Sequence, residues 1–116
     1  MKESKQPEIA KVLKPFRKKI DSLDEKILKL LGERFATVRK VANIKAKHDI
    51  PSFLHDRVEE VRNRCVTIGA QYGIDPHFLY SLYSAIIYES CATEDMIKTD
   101  LAKPPVKKAA KKPKKK

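Results

Sequence analysis

The sequence predicts an all-α protein of three helices with a very long first helix, assembled as an intertwined homodimer. Three observations carry that expectation. Apolar residues recur at steps of three and four over most of the chain, the spacing that lines one face of a helix. Strand signals, runs of alternating apolar and polar residues, are absent from the sequence. The breaker clusters between residues 15 and 98, Asp49-Ile50-Pro51 and Tyr72-Gly73 with Asp75-Pro76, divide the pattern into three segments.

Residues 1–14 are polar and read as a flexible N-terminal extension, with at most one turn around Ile9–Leu13. Pro15 suits a first helical position, where its missing N–H is not needed. From there Phe16, Ile20, Leu23, Ile27 and Leu30 form a row that continues through Arg34, Val38, Val41 and Lys45. Nothing breaks it before Asp49, which gives about 34 residues or ~50 Å of helix. Val58, Val61, Cys65 and Ile68 repeat the spacing in a second helix that ends near Tyr72-Gly73. Asp75-Pro76 reads as a cap and first turn, opening a third helix to about Lys98 with Leu79, Leu82, Tyr83, Ile86, Ile87 and Ile97 inside. The helical domain is thus residues 15–98, and the Ala/Pro/Lys composition of residues 99–116 predicts a disordered tail.

A folded domain of ~85 residues has a radius of gyration near ~12 Å, so a ~50 Å helix overhangs it. Its row is apolar along most of that length, and the most economical cover is the same helix of a second copy. The alternative is a kink that folds the helix back into a monomeric bundle.

The formal charge of +11 suggests nucleic acid until it is located. Eight lysines fall in residues 103–116 with no acid among them, and setting them aside leaves +3. The basic signal belongs to a tail rather than to a folded face. Cys65 and Cys91 form no CxxC and read as reduced, small hydrophobes. The sequence has neither an apolar run of membrane-spanning length nor a signal-peptide start, so the expected location is the cytoplasm.

Charged residues interrupt the apolar rows, and there the sequence points to chemistry. Arg34 and Lys45 are eleven residues apart, which returns a side chain to within ~20° of the same helix face. On the third helix Ser90 and Glu94 continue the row of Tyr83, Ile86 and Ile87. A serine there bonds back to a carbonyl one turn earlier without functional meaning, whereas a glutamate requires a partner. A buried Lys45–Glu94 pair that only fixes register is the structural reading. The excess of cations favours another, because Arg34, Lys45 and Arg57 are not all neutralised by Glu94. The remainder suits a small ligand with two negative charges. His48, His55 and His77 lack metal-ligand spacing, so neither a metal nor a cofactor is expected.

The segments FRKKIDSLDEKILKLLGERFATVRKVANIKAKHDIP, HDRVEEVRNR and GIDPHFLYSLYSAIIYES place four basic positions within this helical pattern. Over about residues 15–97 the chain resembles the all-helical chorismate mutases, whose fold is an intertwined dimer. The resemblance implies that Arg34 and Arg17 of the partner subunit clamp the two carboxylates of the substrate, assisted by Arg57. Lys45 corresponds to the donor to the ether oxygen, Ser90 to a polar pocket position, and Glu94 to a second ether-oxygen position where some members have Gln. A [3,3] rearrangement needs no nucleophile, metal or proton transfer. It needs a flexible dianion held in its reactive conformer and charge stabilised on the ether oxygen. Planar guanidiniums, which bind carboxylates bidentately, suit the first task.

Two positions depart from the family pattern. Val58 stands where many of these mutases place a Glu for the ring hydroxyl, and Leu54 replaces a carboxylate three residues before Arg57. Val58 also resembles the related isochorismate pyruvate lyases, which form salicylate on the same fold, and an aminodeoxychorismate mutase is a further alternative. The non-enzyme alternative is a helical scaffold whose tail binds nucleic acid non-specifically. The tail lacks aromatic residues to stack on bases, and deleting residues 102–116 separates the two ideas.

Overall fold

The computed structural model describes residues 6–104, and among them are three helices and no strand. α1 spans Gln6–Lys47, α2 His55–Gln71 and α3 Pro76–Ala102. Among the described residues no helix is long and apolar enough to cross a membrane. The chain divides into two compact units, one up to Ala36 and one from Thr37.

The first unit consists of α1 up to Ala36. The helix starts at Gln6, so residues 6–14, expected as a flexible extension, are helical; residues 1–5 lie outside the described part. Pro15 sits inside the helix instead of opening it. A proline forgoes one N–H bond there, and Glu8 in the first turn suits the positive end of the helix dipole. Val12, Phe16, Ile20, Leu23, Ile27 and Leu30 are all exposed, Phe16 to 65%. The row read from the sequence therefore exists and is uncovered in the single chain.

The second unit holds the end of α1, the connection 48–54, α2 and α3. α1 closes with a left-handed residue, Asp49 at φ 58°, and the Ile50 N–H donates to the Lys45 carbonyl at 2.8 Å. Aspartate tolerates this conformation better than most residues, at about 1 kcal/mol. α2 ends in the same way at Gly73, φ 81°, with Ile74 N–H bonded to the Gly69 carbonyl at 3.2 Å and Gly73 N–H to Ala70 at 3.0 Å. Asp75 then caps α3, its Oδ2 accepting from Phe78 N–H at 3.0 Å, with Pro76 following. α3 runs to Ala102, four residues beyond the expected end, so residues 99–102 are helix rather than disordered tail. Thr99–Ala102 present no breaker, and the helix stops two residues before Pro104. The lysines from 107 onward lie outside the described residues.

α2 and α3 pack together, and the buried apolar residues are Ala42, Val58, Leu79 and Ile87. The inward residues of α2 are Val58, Arg62 and Gly69; Val61 and Cys65 are half-buried and Ile68 is exposed. The buried face is thus turned from the row of Val58, Val61, Cys65 and Ile68 toward Arg62. Gly69 is where α2 meets α3, since a Cβ there would stand 2.5 Å from Leu79 Cδ1. Gly69→Ala gains roughly 1 kcal/mol of helix propensity but overpacks buried Leu79, a cost of about 1–3 kcal/mol. The expected result is a net loss of about 1 kcal/mol, read from denaturant midpoints; a gain would show that Leu79 yields freely.

Candidate active site

Three elements of the second unit converge on the Lys45 ammonium. Lys45 lies in the last turn of α1, Ser52 in the connection and Glu94 on the inward face of α3. Lys45 Nζ donates to Glu94 Oε1 at 2.8 Å and to the Ser52 carbonyl at 3.0 Å. The lysine side chain is 15% exposed and that of Glu94 7%. Such a pair is a poor source of net stability, yet removing one partner strands the other charge. Two of the three ammonium protons are engaged, leaving one donor on a side chain whose direction is already fixed.

One turn before Glu94, Ser90 is buried and its Oγ donates to the Ile86 carbonyl at 2.8 Å. This is the back-bond expected of a helical serine. Cys91 lies beside the pair, its Sγ 3.6 Å from the Ser52 carbonyl. Burial pushes the Cys91 thiol up, the Glu94 charge adds to this, and the Lys45 ammonium works against it. A raised thiol holds less thiolate at a given pH and reacts more slowly. We therefore expect iodoacetamide at pH 8 to label Cys91 more slowly than a free thiol. Glu94→Gln should accelerate that labelling, as followed by mass spectrometry, and an unchanged rate would show that the carboxylate does not reach the sulfur.

Val58 is buried, so an apolar side chain occupies the position after Arg57. Arg57 itself is 65% exposed and donates to Glu60 Oε1 at 2.9 Å, a surface pair of little strength that a better anion can displace. Arg17 and Arg34 belong to the first unit: Arg17 is exposed and Arg34 half-buried. The structure thus brings Lys45 and Glu94 together, sets Ser90 one turn from Glu94, and places Arg57 at the start of α2. His48, His55 and His77 are exposed.

Sequence reasoning missed three residues. Ser52 supplies the second acceptor for Lys45, and no pattern distinguishes a residue that acts through its carbonyl. Lys98 continues the Glu94 row by one turn, and its Nζ donates to the Ile50 carbonyl at 2.6 Å. Arg62 is buried between α2 and α3, bonded to Ser84 Oγ at 3.0 Å and Glu59 Oε2 at 2.5 Å, with its guanidinium 4.4 Å from the centre of the Tyr80 ring. Its spacing, four after Val58 and seven before Gly69, was the available signal.

Comparison with known proteins places the chain. A family model described as chorismate mutase type II matches residues 16–95. The 4-amino-4-deoxychorismate mutase of Streptomyces venezuelae is 33% identical over 85 residues, covering 73% of this chain and 82% of that protein. The chorismate mutase of Methanocaldococcus jannaschii is 30% identical over 82 residues, 71% of this chain and 83% of the relative. The bifunctional chorismate mutase/prephenate dehydratase of Escherichia coli is 33% identical over 81 residues, 70% of this chain but 21% of that longer protein. The fold and the matched length define an all-helical isomerase. The chain belongs to the chorismate mutase type II family.

Proposed function

We propose that this protein converts chorismate to prephenate by a [3,3] rearrangement, as a cytoplasmic homodimer in which each copy helps complete the other's site. The observation that carries the reading is the half-buried Lys45 ammonium, aimed by Glu94 and the Ser52 carbonyl and retaining a donor. In this rearrangement the ether C–O bond breaks while a new C–C bond forms, and negative charge builds on the ether oxygen. A fixed cation at that oxygen stabilises the transition state more than the ground state. Lys45 is assigned to the ether oxygen with Glu94 as a second donor to it. Arg34, Arg57 and Arg17 of the partner subunit are assigned to the carboxylates, and Ser90 and Val58 to the pocket wall.

The dimer is supported by the uncovered row from Val12 to Leu30 and by the small buried set within one chain. Six large apolar side chains on one helix face form a patch that monomeric proteins seldom leave open.

A second reading, rearrangement of 4-amino-4-deoxychorismate, is favoured by the similarity to proteins named for that activity and by Val58 and Leu54, neither of which anchors a ring hydroxyl. Isochorismate cleavage to salicylate and pyruvate remains the third. Incubating the protein separately with the three substrates decides among them. Prephenate from chorismate is the expected product. Turnover of the amino compound alone, or salicylate from isochorismate, would reassign the substrate, and no turnover of any would overturn the reading.

A further inference from the structure

The connection between α1 and α2 is tied down more heavily than a seven-residue surface segment requires. The Ile50 peptide is held from both sides: its N–H by the Lys45 carbonyl at 2.8 Å, and its C=O by the Lys98 ammonium at 2.6 Å. Two residues on, the Ser52 carbonyl accepts from Lys45 Nζ at 3.0 Å, and the Cys91 thiol also reaches it. Phe53 then stacks on Tyr88 with ring centres 6.4 Å apart. Asp49, the second residue of the segment, has a left-handed backbone, and such a residue persists only where its surroundings over-determine it.

Glu94 and Lys98 are four residues apart on α3 and therefore lie on one face in successive turns. One holds the Lys45 ammonium and the other holds the turn that follows Lys45. The bond from Lys98 is short and charge-assisted, and the lysine is half-buried, so salt screens it less than a surface contact. We propose that Lys98 is a positioning residue for Lys45. By fixing the Ile50 carbonyl it sets the turn whose Ser52 carbonyl aims the Lys45 ammonium. Lys98 need not touch the substrate.

This inference rests on the assignment of Lys45 to the ether oxygen, and its effect should appear in the chemical step. A misplacement of about 1 Å in a catalytic group can lower turnover on the order of a hundredfold. With wild type and the substrate it turns over, Lys98→Met should lower kcat by roughly ten- to a hundredfold while KM changes less than about threefold, because the carboxylate-binding arginines are separate groups. Lys98→Arg, which keeps a charged donor, should recover kcat to within about threefold of wild type. Exchange of the Ile50 amide with solvent should be about tenfold faster in the Met variant. A Met variant with wild-type kcat, an Arg variant as slow as the Met variant, or unchanged Ile50 exchange would each overturn the proposal. A purely structural Lys98 would lower the melting temperature and leave kcat below that temperature intact. Wild type inactive on all three ring substrates would instead remove the functional reading, and the role of Lys98 in turnover with it.

Discussion

Lys45→Met is expected to lower turnover about 10²- to 10³-fold, the usual loss when one preorganised donor is removed from a developing oxyanion. The same substitution should destabilise the fold. Glu94, 7% exposed at its side chain, loses the ammonium 2.8 Å away, and stranding one charge of a buried pair costs about 3–5 kcal/mol. The two losses have different origins and can be separated. In the double variant Lys45→Met/Glu94→Gln the stranded carboxylate is gone, so most of the stability should return. The turnover should not return, because the donor is still missing. The measurements are kcat well below the melting temperature and the melting temperature itself, for both variants and wild type. A double variant with kcat within about threefold of wild type would show that the pair only fixes register and that the cation plays no part in the reaction.

The reach of the sequence can be seen from particular residues. The long first helix was legible because Phe16, Ile20, Leu23, Ile27 and Leu30 repeat at helical steps with no breaker before Asp49, and α1 contains them all. Its start was not, because proline is favoured in a first turn yet does not forbid a turn upstream, and the structure places Pro15 inside the helix. The Lys45–Glu94 meeting was legible because each stood as a charge on an apolar row, and a buried charge needs an opposite one. The Ser52 carbonyl was not, since every residue carries that acceptor and only the path of the connection selects one. Arg62 was hidden for a related reason. Its burial depends on Ser84 of α3 meeting its guanidinium and on Tyr80 of α3 lying beneath it, contacts that join separate segments, while Glu59 one turn earlier on α2 supplies the opposite charge. Residue type alone predicts an arginine on the surface.

Glu94→Gln is expected to change the pH dependence of the reaction more than its rate at the optimum. Glu94 Oε1 already accepts from Lys45, so donation to an ether oxygen falls to the other carboxyl oxygen, which carries a proton only in the acid form. A native enzyme that uses this donor is therefore faster at acidic pH than at pH 8. A glutamine has nearly the same shape, accepts from Lys45 through its carbonyl and donates through its amide at every pH in the range. We expect the Gln variant to keep a nearly flat profile from pH 5 to 8 and to exceed wild type at the alkaline end. Initial rates from pH 5 to 8, in buffers of constant ionic strength, provide the check. If the native profile is already flat and Gln leaves it unchanged, Glu94 does not donate to the substrate, and its role reduces to holding Lys45.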